Sequence, residues 1–338
     1  MSILFIGLVV LRILYIIMKA IIISEKGGPE VLKIEELETP VATGNQVLIK
    51  VLAAGVNRSD VLTRKSSAYG KAIDKEIPGL EVAGTVEAIG SDVKRWQVGD
   101  SVCALVAGGG YAEYKVVDKR LCLPVPENYS FEEAASLPET VFTVWYNVFK
   151  TAGFKSGESF LVHGGTSGIG VTAIQMVVAS GGIAYATAGT EDKCRFCEQL
   201  GATKAINYKE DDFVNVLKPI GIDVILDMTG GDNTLKNLDI LKEDGRLTFI
   251  NAMNGIKSEI DILQIMSKRL QISGSMLKPQ SDDFKAELAK EIESNIWPLI
   301  GSGKIRPVIH KVFPFEEAAA AHRLMESSEH IGKIILKM

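Results

Sequence analysis

The sequence predicts an α/β protein in two parts, a mainly β unit followed by a doubly wound parallel sheet. Three observations carry this. A length of 338 residues suggests about two domains at roughly 150 residues each. From Met18 to about Pro138 the chain reads as short apolar runs punctuated by glycine, with no long helical pattern. Beyond Pro138, strand-like and helix-like segments alternate, as parallel βαβ units require. With 46% apolar and 23% charged residues the composition is ordinary for a globular chain and ample for a core.

The first seventeen residues stand apart. Residues 3–17 read ILFIGLVVLRILYII with Arg12 as their one charge. A membrane span needs about 20 apolar residues, so this run is short for one. With no basic leader and no small-residue cleavage site, it is also a poor secretory signal. Three readings stay open: an in-frame extension upstream of a true start at Met18, a membrane-surface or weakly inserted anchor, or a helix packed on the body.

The β unit opens with a strand over residues 19–23 and the turn Lys26-Gly27-Gly28-Pro29. Residues 46–53 alternate with period two, which suits a half-buried strand. Residues 80–89 form another such run, with Gly84 expected as a bulge or bend. A turn at Val98-Gly99-Asp100 precedes a strand over 101–106, and Gly108-Gly109-Gly110 turns into a strand over 111–117.

In the second unit, strands are expected at 159–163, 183–188, 205–208, 222–228, 246–251 and 271–275. Helices are expected between them at 169–180, 191–200, 212–217, 234–242 and 262–269. The tail, residues 279–338, reads as helix, strand (311–313), helix (315–327) and strand (331–336), and is expected to return to the first unit. The implied division is an apolar extension (1–17), a β unit (18–140), a parallel-sheet unit (141–278) and the returning tail (279–338).

Charge and cysteine count exclude some functions. The 37 basic and 42 acidic residues give a net −5, which argues against a nucleic-acid partner held through phosphates. Four cysteines do not make a disulfide scaffold, and a reducing cytoplasm is the expected compartment. The close pair Cys194 and Cys197 falls in a predicted helix with no further ligand nearby, so a structural role is expected.

The strongest motif sits where the strand at 159–163 ends. Gly165-Thr166-Ser167-Gly168-Ile169-Gly170 matches the dinucleotide pattern G-x-G-x-x-G except that Ser167 replaces the middle glycine. A strand that ends in glycines and opens a helix presents free N–H groups and the positive helix end to a pyrophosphate. The next strand ends at Gly189-Thr190, where an NAD site normally carries an acid for the ribose 2′-hydroxyl. Glu191 and Asp192 follow closely, but Lys193 can reach a 2′-phosphate and Tyr208 can flank it, so NADPH is the expected cofactor.

The chain resembles the medium-chain dehydrogenase/reductase superfamily in its zinc-independent quinone oxidoreductase branch, of the p53-inducible type. The likeness runs from Met18 onward. It is carried by AAGVNRSDVLTRKSSAYG, PGLEVAGTVEAIG, GDSVCALVAGGGYAEY, LPETVFTVWYNVF, HGGTSGIG and SSEHIGKIIL. It implies a GroES-like catalytic domain, a Rossmann cofactor domain and a cleft between them. In zinc-using relatives a cysteine stands where this chain has Asn57, and a His-Glu pair stands at Leu80-Glu81. The lobe of four cysteines is absent too, so no metal is expected.

Without a Lewis acid, an acceptor that is already electrophilic is favoured, namely a quinone or an α,β-unsaturated carbonyl. Asn57 is the candidate beside the carbonyl or the nicotinamide ribose. Tyr69 can donate to, or stack on, a flat substrate, although Tyr-Gly replaces the family's Tyr-Pro. Thr143 matches a threonine beside the nicotinamide. Phe249, Ile250 and Asn251 end the fifth strand, where backbone groups can hold the carboxamide. Met276 to Gln280 borders the mouth, and Lys278 there is a surface lysine that can attract an acidic substrate. His163, just before the glycines, is expected to be packed or a supporting donor. The alternatives are an enoyl-thioester reductase and a non-catalytic, crystallin-like nucleotide-binding protein. The resemblance further implies a homodimer paired through residues 271–275.

Overall fold

The computed structural model describes residues 17–65 and 76–338. Tyr69 and nearly all of the apolar N-terminal run lie outside the described residues. Among the described residues no helix is long and apolar enough to cross a membrane.

The β unit is built on a sheet in the order Ile309–Pro314, Lys333–Lys337, Gln46–Val56, Glu81–Ile89, Ser101–Leu105 and Cys122–Pro124, with Tyr114–Asp118 also paired to Gln46–Val56. A two-stranded ribbon, Ile17–Ile23 against Leu32–Glu38, stands beside it. The tail does return: Lys333–Lys337 pairs antiparallel with Gln46–Val56, placing Ile334 opposite Val56. Gly84 is not itself the bulge. The register slips on the facing strand between Val51 and Ala53, and a Cβ on Gly84 would lie 1.9 Å from the Lys50 carbonyl oxygen. Glycine is required there by close backbone approach.

The second sheet has six parallel strands in the order Lys204–Asn207, Ile183–Ala188, Ser159–His163, Ile222–Asp227, Leu241–Phe249 and Gln271–Gly274. The chain enters mid-sheet at Ser159–His163, winds outward to Lys204–Asn207, then crosses to Ile222–Asp227. That reversal opens a crevice at the carboxyl ends of the two central strands, where open sheets bind ligands. The fifth strand starts earlier than expected, at Leu241, because Lys242-Glu243-Asp244-Gly245 forms a bulge, with Asp244 at φ +58°, inside the strand's pairing with Ile222–Asp227 and shifts its register.

Between the sheets lies a segment that the periodicity left unplaced. Ser130 and Glu133 form a capping box for the short helix Phe131–Ala134. Helix Pro138–Val144 follows and passes into a π-helical turn, Trp145–Thr151. One apolar core takes residues from both sheets and from this segment, including Ala53, Leu105, Phe142, Phe160 and Ile335. The two halves therefore share packing on either side of the crevice.

Candidate active site

The crevice is a cleft of about 1180 Å³ between the two sheets. One wall is the glycine loop. Strand Ser159–His163 is buried throughout and delivers Gly164 in a left-handed conformation (φ +72°). Ser167 caps helix Gly168–Ala179 by accepting from the Gly170 N–H. The N–H groups of Gly168 and Ile169 precede the first intrahelical bond, from Val171 N–H to the Ser167 carbonyl, and so await an external acceptor.

Thr166, Ser167, Gly168 and Ile169 line the cleft, whereas Gly165 and Gly170 do not. Those two act by close approach. A Cβ on Gly165 would lie 2.7 Å from both Ala186 Cβ and Cys197 Sγ, and one on Gly170 would lie 2.4 Å from the Gly164 carbonyl oxygen. Cys197 is thus a packing residue beneath the loop. His163 is buried, as expected. Its Nε2 lies 2.8 Å from Asn237 Oδ1 and its Nδ1 lies 3.0 Å from Thr187 Oγ1. Because the Asn237 amide donates to Asp227, its oxygen accepts from His163 Nε2–H, which fixes the tautomer.

The far end of the cleft carries both charges, with Glu210, Asp211 and Glu329 lining it beside Lys193 and Lys209. Gly189 ends its strand under Tyr208, whose hydroxyl would lie 2.7 Å from a Cβ on Gly189. Thr190 caps the next helix by accepting from the Lys193 N–H. The Lys193 ammonium donates to the Ser328 carbonyl at 2.8 Å. Burial and the neighbouring Lys209 lower its pKa. Arg58, Lys193, Tyr208 and Lys209 line this end together. Glu191 and Asp192 instead face Arg195.

The opposite wall and floor come from the β unit and helix Pro138–Val144. Asn57 donates from Nδ2 to Glu81 Oε1 at 2.9 Å. The Lys333 ammonium donates to Asn57 Oδ1 at 2.6 Å and pairs with Glu81 Oε1 at 2.5 Å. The Glu81 side chain is 0% exposed and that of Lys333 6% exposed, so this is a buried ion pair closed by an amide. The Glu139 N–H donates to Glu81 Oε2 at 2.8 Å.

Behind Asn57 lies a second polar chain. Asp60 accepts from the N–H groups of Asn57 and Gly79 and from the Tyr111 hydroxyl. Tyr111 meets His322 Nε2 at 3.2 Å, and Arg64 meets His322 Nδ1 at 3.3 Å. Arginine can only donate, so His322 Nδ1 accepts and Nε2–H points to Tyr111. Burial, reinforced by Arg64, pushes the His322 pKa down to about 3, and burial pushes Asp60 up to about 6.

Thr143 is buried and lines the cleft one turn beyond Glu139. Ile250 and Asn251 also line it, but Phe249 packs against the apolar cluster around Leu161 and Leu247 on the other side of the sheet. A side chain on a strand alternates faces, which is why three consecutive residues do not share one site. Lys278 is at the mouth as expected, held by Glu76 at 3.0 Å. Lys333, Glu81 and Glu139 are cleft or floor residues that the sequence reading did not single out.

The comparisons with known proteins follow from this geometry. Residues 43–127 match the alcohol dehydrogenase GroES-like domain family, and residues 200–336 match the family described as zinc-binding dehydrogenase. The chain is 33% identical to a quinone oxidoreductase of Mus musculus over 95% of its length and 98% of that protein. It belongs to the medium-chain dehydrogenase/reductase family. Among solved structures, the Escherichia coli quinone oxidoreductase complexed with NADPH superposes with a TM-score of 0.86 at 28% identity, covering 95% of this chain and 100% of that one. The CurK enoyl reductase superposes at 0.84 with 29% identity, covering 95% and 99%.

The chain is thus a medium-chain oxidoreductase with GroES-like and Rossmann parts. A nicotinamide cofactor fits the residues present: N–H donors at a helix start, and glycines that let the loop pack tightly against the strand and helix that present them. Among the described residues no group of three or more His, Cys, Asp or Glu side chains is placed to hold a metal ion. Its substrate is a small molecule.

Proposed function

We propose that this oxidoreductase uses NADPH to reduce quinones and related α,β-unsaturated carbonyls without a metal. The observation that carries the reading is one continuous cleft. It joins the free N–H groups of Gly168 and Ile169 to the Asn57–Glu81–Lys333 floor. Lys193, Lys209 and Tyr208 at the far end favour a 2′-phosphate over a bare ribose. The Lys333 ammonium, already seated between Asn57 and Glu81, repels a divalent cation from that floor.

When bound, the reduced nicotinamide supplies hydride. The chain supplies position: the loop N–H groups would hold the pyrophosphate, and Ile250 and Asn251 would border the carboxamide. Thr143 would pack beside the ring, and Asn57, its amide fixed by Lys333, would present a polar edge to the acceptor carbonyl. Such pre-set donors stabilise the charge that develops on the carbonyl oxygen.

The likeness to an enoyl reductase supports one second reading, reduction of an enoyl thioester. The test is NADPH consumption by the purified chain with a naphthoquinone, an enone and a crotonyl thioester in parallel. Turnover restricted to the thioester overturns the quinone reading. Nucleotide binding with no turnover favours a binding protein. A homodimer fits as well. Strand Gln271–Gly274 is a sheet edge among the described residues, and Ile256, Ile262, Leu263, Met266 and Ile272 beside it are exposed. Light scattering that gives a monomer mass refutes the pairing.

A further inference from the structure

We propose that Glu139 is the acid that protonates the reduced acceptor in this cleft, an assignment that rests on the hydride-transfer reading above. Three carboxyl groups meet at the floor, and their bonding separates them. Glu81 has an ammonium and two N–H donors, from Asn57 Nδ2 and the Glu139 backbone. Asp60 has two backbone N–H groups and a phenol. The Glu139 carboxyl has no hydrogen-bond partner among the described residues, and it lines the cleft. With Thr143 four residues further along helix Pro138–Val144, the two share one helix face, about 5–6 Å apart at Cβ. That spacing sets the carboxyl beside any acceptor stacked over a ring at Thr143.

The charges around it agree. Glu81 and Asp60 disfavour a further negative charge, Lys333 and Lys285 offset part of this, and burial is the largest cause. Together they raise the Glu139 pKa to about 8, so the group holds its proton at neutral pH. The acceptor gains a hydride, its π electrons move onto the carbonyl oxygen, the Glu139 O–H bond breaks and its proton bonds that oxygen. The carboxylate left behind lies near the Lys333 ammonium and regains a proton from water.

The test compares wild type with Glu139→Gln and Glu139→Asp. Glutamine keeps the shape but carries no acidic proton. It is expected to lower kcat on an enone about 10²-fold and to abolish the alkaline fall of kcat near pH 8, with NADPH affinity by fluorescence changed less than twofold. Aspartate should restore part of kcat. Independently of activity, infrared titration of the wild type should show a carboxylic-acid C=O band that disappears as pH rises through 8 and is missing in Glu139→Gln. Unchanged kcat and alkaline limb in Glu139→Gln, or no such band, overturns the proposal while the hydride reading stands. A wild type that consumes no NADPH with quinone or enone overturns both.

Discussion

Replacing Lys333 by methionine removes one charge from a buried pair and leaves most of its volume. The volume matters because a Cβ on Gly168 would lie 2.5 Å from Lys333 Cδ, so the aliphatic stem packs against the glycine loop. The variant loses the ammonium bonds to Asn57 Oδ1 and Glu81 Oε1. It strands the Glu81 carboxylate, which is 0% exposed. Breaking a buried pair from one side costs about 3–5 kcal/mol. Glu81 keeps its N–H donors from Asn57 and Glu139, which places the loss at about 3 kcal/mol, the low end of that range. Adding Glu81→Gln removes the stranded charge and should recover about half, leaving the double variant about 1.5 kcal/mol below wild type and less destabilised than the sum of the two single variants. Urea unfolding read by tryptophan fluorescence measures this, because Trp297 sits in the core that both sheets share and Trp145 packs against it. A loss under about 1 kcal/mol for Lys333→Met, or a double variant whose losses simply add, would refute the argument that this pair is a closed charge balance.

Three further outcomes are expected. Gly170→Ala puts a Cβ 2.4 Å from the Gly164 carbonyl oxygen and should cost about 1–3 kcal/mol and weaken NADPH binding at least tenfold, although alanine is the better helix former; calorimetric titration checks it. Lys193→Glu should shift the NADPH-to-NADH ratio of kcat/KM by about tenfold or more toward NADH, and a fixed ratio would remove Lys193 from the 2′-phosphate site. Glu139, with its pKa raised to about 8 in the folded chain against 4.5 unfolded, binds a proton that the unfolded chain has lost in that window. Stability therefore falls as pH rises from about 4.5 to 8, and Glu139→Gln removes that loss, so its urea midpoint relative to wild type should climb from pH 5 to pH 8.

Local signals made the fold legible. The βαβ alternation and the glycine loop each lie within a few residues and stand where the spacing put them, and the structure adds helix caps at Ser167 and Thr190. Asn57, Thr143, Lys193, Tyr208, Ile250 and Asn251 all reach the one cleft. What escaped was long-range. Lys333 and Glu81 are 252 residues apart and meet only because the last strand pairs with Gln46–Val56, whose other neighbour carries Glu81. A signal was present nonetheless: GLEVAGTV and IGKIIL each place one charge inside an apolar strand, and opposite charges so placed have to find each other. Glu139 sits in the same way within an apolar stretch after Pro138. The side chain of Phe249 turns to the other face of the sheet because side chains alternate along a strand, while Ile250 and Asn251, past the strand's end, both line the cleft.

The returning tail explains how cofactor binding and chemistry are tied together. Ser328 takes the Lys193 ammonium on its carbonyl and Arg58 on its hydroxyl. Four residues on, the Gly332 N–H donates to the Thr166 carbonyl in the glycine loop, and the next side chain, Lys333, holds Asn57 and Glu81. Gly332 has φ +80°, and a Cβ there would lie 2.2 Å from the Val308 carbonyl oxygen, so only glycine lets this strand start so close to the loop. One short run thus touches the Lys193 end of the cleft, the glycine loop and the Asn57–Glu81 floor. A hinge between the domains would have to break these bonds and the shared core at once. The spacing from loop to floor is therefore set by covalent neighbours, which is the condition for pre-set donors to act on an acceptor without reorganisation.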